Sequence, residues 1–156
     1  MSELKEGQKA PDFSAKDQQG NMVSLDQFKG KTVVLYFYPK DDTPGCTAEA
    51  CDFRDNYQGL TAQGIVVLGV STDDEKSHEK FVNKHSLPFT LLADTDKKIV
   101  EDYGVWGEKN MYGKKYMGTN RTTFIIDENG VIAHIIKKVD TKNSTAQVLE
   151  LIQQKN

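Results

Sequence analysis

Apolar residues in this chain gather into short dense runs, separated by longer stretches in which they recur every three or four positions. The densest run is Thr32-Val33-Val34-Leu35-Tyr36-Phe37-Tyr38, β-branched and aromatic almost throughout, which predicts a strand buried on both faces. After Pro44-Gly45 the period changes: Cys46, Ala50, Phe53, Tyr57 and Leu60 mark one face of an amphipathic helix, ending near Gln63-Gly64 with Gly64 suited to a left-handed cap. Ile65 to Val70 is a second buried strand. Ser71-Thr72-Asp73-Asp74 supplies helix-start chemistry for Glu75 to His85, and Leu87-Pro88 stops that helix. Thr90 to Ala93 is strand-like, and Asp94 to Asp96 opens a helix that closes at Tyr103-Gly104. Residues 105–119, rich in Gly, Lys and the aromatics Trp106, Tyr112 and Tyr116, read as a long loop. Arg121 to Ile126 and Val131 to Val139 flank Asp127-Glu128-Asn129-Gly130, a hairpin signal. Ser144-Thr145-Ala146-Gln147 has a capping-box pattern, and Val148, Leu151 and Ile152 give the last helix its apolar stripe. Ahead of all this, Phe13 to Ala15 and Met22 to Ser24 bracket the turn composition Gln18-Gln19-Gly20-Asn21, with one helical turn at Leu25 to Phe28. Strand, helix, strand, helix, then an antiparallel hairpin and a helix, make an α/β domain with a mixed central sheet flanked by helices and an N-terminal β-hairpin extension.

Size and charge narrow what such a domain does. At 156 residues the chain fits one domain, residues 1–156, with a substantial core. A formal charge of −3 and a pI of about 5.6 argue against a general binder of nucleic acid or anionic membranes. No apolar stretch is long enough to span a bilayer, and Met1-Ser2-Glu3-Leu4-Lys5-Glu6 lacks a signal-peptide core. A cytoplasmic location is expected, where a cysteine pair is more often catalytic than a permanent staple.

Both cysteines lie in Pro39 to Cys51, PKDDTPGCTAEAC. Cys46 falls in the first turn of the helix, just beyond the carboxyl end of a central strand, the crevice in which open α/β sheets place their chemistry. A free cysteine near pKa ~8.5 is only about 3% thiolate at pH 7. Unpaired amides and the helix dipole stabilise an anion there by roughly 0.3–2 kcal/mol, so a fixed cation is expected nearby as well. Thr43 can offer a hydroxyl to the sulfur or to an incoming oxygen, and Pro39 ends the strand and walls the site without adding a donor. Cys51 lies five positions after Cys46. On a regular helix that is roughly 8–9 Å between Cα atoms, whereas a disulfide needs them within about 7 Å. A Cys46–Cys51 bond therefore requires the first turns to unwind.

Pro39-xxx-Thr43-xx-Cys46 resembles the active-site motif of the peroxiredoxins, and TPGCTAEAC resembles the bacterioferritin comigratory protein, or peroxiredoxin Q, subfamily. The likeness runs from Gly7-Gln8-Lys9-Ala10-Pro11-Asp12-Phe13 to the terminal helix. It implies a thioredoxin-like fold and a thiol peroxidase that reduces hydrogen peroxide and organic hydroperoxides. Cys46 is the implied peroxidatic cysteine and Cys51 the resolving one. Arg121, opening Arg121-Thr122-Thr123-Phe124-Ile125-Ile126, matches the segment whose Arg faces the reactive sulfur; a guanidinium stays charged and presents several donors to a thiolate or a developing alkoxide. Glu49 is implied to orient Arg121, and is equally an ordinary first-turn acid favourable to the dipole. The implied cycle passes through a Cys46 sulfenic acid and an intramolecular disulfide, which thioredoxin or a similar dithiol reduces. No cofactor and no metal is implied. Without a C-terminal cysteine for an intersubunit disulfide, a monomer is expected.

Other candidates have plainer explanations. His78 and His85 are roughly 10 Å apart along a helix, too far to share a metal, and read as partly packed helix histidines. His134 reads as an ordinary strand residue. Asp94-Thr95-Asp96 lacks the remaining ligands of a calcium loop and reads as a helix start. Lys109, Lys114 and Lys115 among aromatics read as a solvated loop or a partner-docking surface rather than a nucleic-acid site. Two further functions use the same thiols: a non-enzymatic redox switch, which predicts slow peroxide reactivity, and a copper-handling thioredoxin-like protein, which calls for a shorter cysteine spacing and a matching His.

Overall fold

A computed structural model of the chain describes residues 4–153; the first three residues of the polar start lie outside them. The strand 32–38 is realised as β3, and its neighbours explain its composition. In chain order the strands are β1 (Ser14–Asp17), β2 (Met22–Ser24), β3 (Thr32–Phe37), β4 (Ile65–Ser71), β5 (Thr90–Ala93), β6 (Trp106–Met111), β7 (Lys114–Thr119), β8 (Thr122–Ile126) and β9 (Ile132–Ile136). The helices are α1 (Pro44–Asp55), α2 (Tyr57–Ala62), α3 (Glu75–His85), α4 (Lys98–Asp102) and α5 (Ser144–Gln153), with a 3-10 turn at Leu25–Phe28. Seven strands form one sheet in the order β2-β1-β5-β4-β3-β8-β9. β3, β4 and β5 run parallel; β8 is antiparallel to β3 and β1 to β5. The N-terminal hairpin thus extends the main sheet, as the sequence predicts.

Alternation along β3 divides the core. Val33, Leu35 and Phe37 join Val100, Tyr103 and Phe124 on one face. Val34, Tyr36 and Tyr38 join Cys46, Ala50, Phe53 and Phe81 on the other. A strand covered on both sides needs apolar residues at every position, which is why 32–38 shows no alternation of polarity. Tyr36 packs at a tilt against Phe53 of α1 with ring centroids 5.0 Å apart, so the helix is seated directly on the central strand. A Cβ at Gly69, beside Tyr36 on β4, would lie 2.8 Å from that ring; glycine makes the close approach possible.

Three predicted elements differ. Residues 105–119 are not a loop: β6 and β7 pair over their whole length as a hairpin, turned by Tyr112 (φ 55) and Gly113 (φ 81), the two positive-φ positions of a type I′ turn. The helix predicted to reach Gln63 breaks at Asn56 into α1 and α2. The helix predicted from Asp94 has only the five residues Lys98–Asp102, with Asp94 accepting the N–H groups of Ile99 (3.1 Å) and Val100 (2.8 Å).

Candidate active site

The site follows from register. Phe37 at the end of β3 pairs with Thr122 of β8, so Arg121, just before β8, lies beside the point where the chain leaves β3 for the loop to α1. Cys46 is the third residue of α1, in the turn whose N–H groups lack intrahelical acceptors. Arg121 Nη2 donates to Cys46 Sγ at 3.2 Å, and Nη1 donates to Glu49 Oε1 at 2.9 Å. Three residues after Cys46, Glu49 shares its helix face, so one planar guanidinium spans both. Gly45 leaves the space: a Cβ there would stand 3.1 Å from Arg121 Nη2.

Burial sharpens the electrostatics. Cys46 is 1% exposed and Glu49 0%. Burial pushes the Glu49 carboxyl up to about 7, against the downward pull of Arg121 and of the Ser144 hydroxyl that donates to Oε2 at 3.2 Å. For Arg121, burial works against the charge, and Cys46 and Glu49 outweigh it. Lys109, read as a solvated loop lysine, is half-buried on β6 and donates to the Thr119 carbonyl at 2.9 Å. Burial and then Arg121 pull its pKa down, so the hairpin carries a second cation within the field of the site.

The remaining predicted residues fall as follows. Thr43, the N-cap position of α1, donates its hydroxyl to the Lys40 carbonyl at 2.9 Å rather than to the sulfur, leaving its lone pairs as acceptors. Pro39 is half-buried two residues after the end of β3 and its peptide is trans. Cys51 is half-buried, and both cysteines are free thiols on an uninterrupted helix. His85 lies 3.3 Å from Asp42 and His134 is half-buried on β9.

Sequence reasoning gave Ser144, Asp52, Asp41 and His78 no part in the site. Ser144 is not a capping-box serine: its hydroxyl proton is shared between the Asp140 carbonyl at 2.9 Å and Glu49 Oε2 at 3.2 Å, while Gln147 Oε1 accepts the Asp140 N–H at 2.9 Å. Asp52 of α1 accepts the Thr145 N–H of α5 at 2.7 Å, a cap supplied from another helix that no local pattern encodes. His78 is no partly packed residue: it is 0% exposed and contacts the loop before α1 through Asp41.

Comparison with known proteins gives the chain its relatives. Residues 6–135 match the AhpC/TSA family. A putative peroxiredoxin bcp of Coxiella burnetii is 55% identical over 143 residues, 92% of this chain and 95% of that protein. Peroxiredoxin Bcp of Escherichia coli K12 is 46% identical over 154 residues, 99% of each. A bacterioferritin comigratory protein of Xanthomonas campestris, solved as trapped intermediate and ligand complexes bearing on its alkyl peroxide reduction activity, superposes with a TM-score of 0.87 at 33% identity, covering 96% of this chain and 99% of its own. With family, full-length relatives and thioredoxin-like fold in agreement, the chain belongs to the AhpC/TSA family, as a peroxiredoxin of the Bcp and peroxiredoxin Q type.

Proposed function

We propose that the protein is a thiol-dependent peroxidase that reduces hydrogen peroxide and organic hydroperoxides through Cys46, resolves through Cys51, and is recycled by thioredoxin or a similar dithiol. The observation that carries this is the 3.2 Å contact of Arg121 with Cys46 Sγ at the start of α1, on a guanidinium whose other arm is held by Glu49. The Xanthomonas relative's alkyl peroxide reduction supports the choice of substrate class.

The Cys46 thiolate attacks one oxygen of the hydroperoxide in line with the O–O bond. An S–O bond forms, the O–O bond breaks, and the leaving oxygen departs with a proton as water or an alcohol. Arg121 and the Cys46 amide disperse the charge that develops on the oxygens, and Thr43 accepts a hydrogen bond from the peroxide. Complete ionisation of a thiol gains only about thirtyfold at pH 7, so most of the acceleration comes from positioning and preorganised charge. Cys51 then attacks the sulfenic sulfur after the start of α1 unwinds; a disulfide forms and water leaves. An external dithiol takes over the disulfide by exchange.

Peroxide and a thioredoxin system supply the test. Cys46→Ser should abolish turnover. Cys51→Ser should consume one equivalent of peroxide and accumulate a dimedone-reactive Cys46. Retained turnover without Cys46 overturns the assignment; normal cycling without Cys51 removes it as the resolving residue.

A further inference from the structure

The loop Pro39 to Thr43, which leads into Cys46, is strapped to α3 by two adjacent acids. Asp42 is exposed and holds Lys84 at 2.8 Å. Asp41 is buried and saturated with hydrogen bonds. Its Oδ1 accepts from Tyr38 Oη at 2.6 Å, and its Oδ2 accepts from Ser77 Oγ at 2.7 Å and lies 2.7 Å from His78 Nδ1. Its own N–H donates to Asp73 Oδ2 at 2.8 Å, an oxygen that also accepts from Ser71 at 2.7 Å. His78 closes the network, for its Nε2 lies 2.8 Å from the Leu92 carbonyl of β5.

The protonation of the ring follows from its partners. Both nitrogens face atoms that only accept, a carboxylate and a carbonyl, so both must donate, and only the imidazolium does that. Burial opposes the charge, but the Asp41 carboxylate and then the Leu92 carbonyl outweigh it and hold the His78 pKa above its ordinary value. The titratable groups facing the ring are Asp41 and Tyr38 from the chain after β3 and Asp73 from the chain after β4. Side-chain oxygens of Asp41 and Asp73 and a ring nitrogen of His78 lie within 4.8 Å of one another, drawn together by the bonds above.

We propose that the buried His78–Asp41 ion pair is a positioning device for the peroxide reaction, fixing the loop that presents Thr43 and Cys46 to the substrate. The chain from Asp41 to Thr43 is short, and Thr43 is tied back to Lys40 on its other side, so displacing Asp41 displaces the Thr43 oxygen. A misplacement of about 1 Å in a preorganised site costs up to about a hundredfold in rate. An uncompensated buried carboxylate has strong reason to move, because half of a buried pair is far costlier than the whole.

This inference rests on Cys46 being the peroxide-reactive thiol, and the experiment separates the two. Stopped-flow oxidation of Cys46 by hydrogen peroxide is compared with its alkylation by iodoacetamide in the full-length protein and in His78→Gln, with near-ultraviolet circular dichroism reporting the fold. The expected result is oxidation slowed roughly ten- to a hundredfold with alkylation as fast as before or faster. A folded variant that oxidises at the wild-type rate, or that loses both reactions equally, overturns the positioning role. Should His78→Gln fail to fold, the near-isosteric Asp41→Asn, which removes the charge and turns one acceptor oxygen into a donor, carries the same comparison. Nitrogen-15 shifts of His78 in the unaltered protein should show both ring nitrogens protonated at pH 7.5; a neutral ring overturns the ion pair. Wild-type oxidation no faster than that of free cysteine would instead defeat the peroxidase assignment.

Discussion

Glu49 is held where burial disfavours the charge that Arg121 requires of it. Its carboxyl is fully buried, donated to by Arg121 and Ser144, and raised from 4.5 to about 7 by burial. A folded-state pKa above the unfolded one means that the folded protein binds more protons between the two values. The stabilisation this gives is complete below about pH 4.5 and is lost as pH rises to about 7. Its size is on the order of 3 kcal/mol, since each unit is worth about 1.4 kcal/mol. Glu49→Gln keeps the shape and an acceptor for Arg121 but has nothing to titrate. Urea unfolding of both proteins from pH 4.5 to 8 should show the wild type losing stability relative to the variant by that amount, mostly below pH 7. A constant difference would mean that the carboxyl ionises in the folded protein at its ordinary pH. The same residue shows the limit of local sequence information. Cys46, Cys51, Thr43 and Pro39 stand together in one string, and Arg121 was legible through a second; that Glu49 has two partners, one from α5, depends on contacts 72 and 95 positions away.

At the scale of elements, α1 and α5 are clasped at two points, Glu49 to Ser144 and Asp52 to Thr145. Both acids lie on one face of α1, three residues apart, and they flank Cys51. Asp52 satisfies an N–H in the first turn of α5, where no helical acceptor exists, and loss of such a cap costs about 0.5–2 kcal/mol. Unwinding α1 far enough to join the cysteines strains this clasp. Asp52→Ala should therefore lower stability by that amount and speed disulfide formation after a peroxide pulse by about two- to thirtyfold, leaving the initial oxidation of Cys46 little changed. Acid-quench mass spectrometry of the thiol and disulfide forms measures it. A variant that loses stability but resolves at the wild-type rate would show that α5 does not restrain α1. Elements were legible where their period was carried by apolar residues, as in β3, β4 and α3. The β6–β7 hairpin was not, because most of its side chains are exposed and its alternation is written in lysines and glycines. Its turn, moreover, uses Tyr112-Gly113 in place of the usual Asn-Gly. The break between α1 and α2 at Asn56 escaped for the opposite reason: the apolar stripe runs on through Tyr57 and Leu60, which pack with the same core cluster.

Across the whole molecule, the proposed cycle leaves the sheet in place and sets the chemistry on the element that has to move. β3 is buried on both faces and paired on both edges, so it would hold the carboxyl end of the strand still if the first turns of α1 open to join the cysteines. The thermodynamic cost of that division can be weighed. A disulfide between residues five apart closes a very short loop and gains only about 2 kcal/mol by restricting the unfolded chain. Against it stands the loss of the hydrogen bonds that tie the Glu49 carboxyl to Arg121 and Ser144, each worth about 0.5–3 kcal/mol net. Exposure of Cys46 and Ala50, both buried in the reduced protein, adds to that side. The reduced protein should therefore be the more stable form, unlike a protein stapled by a structural disulfide. Urea denaturation of the dithiol and disulfide forms, extrapolated linearly to water, should place the oxidised midpoint lower. Equal or greater stability of the oxidised form would mean that the cysteines join without dismantling the start of α1, and the clasp to α5 would then lie outside the catalytic cycle.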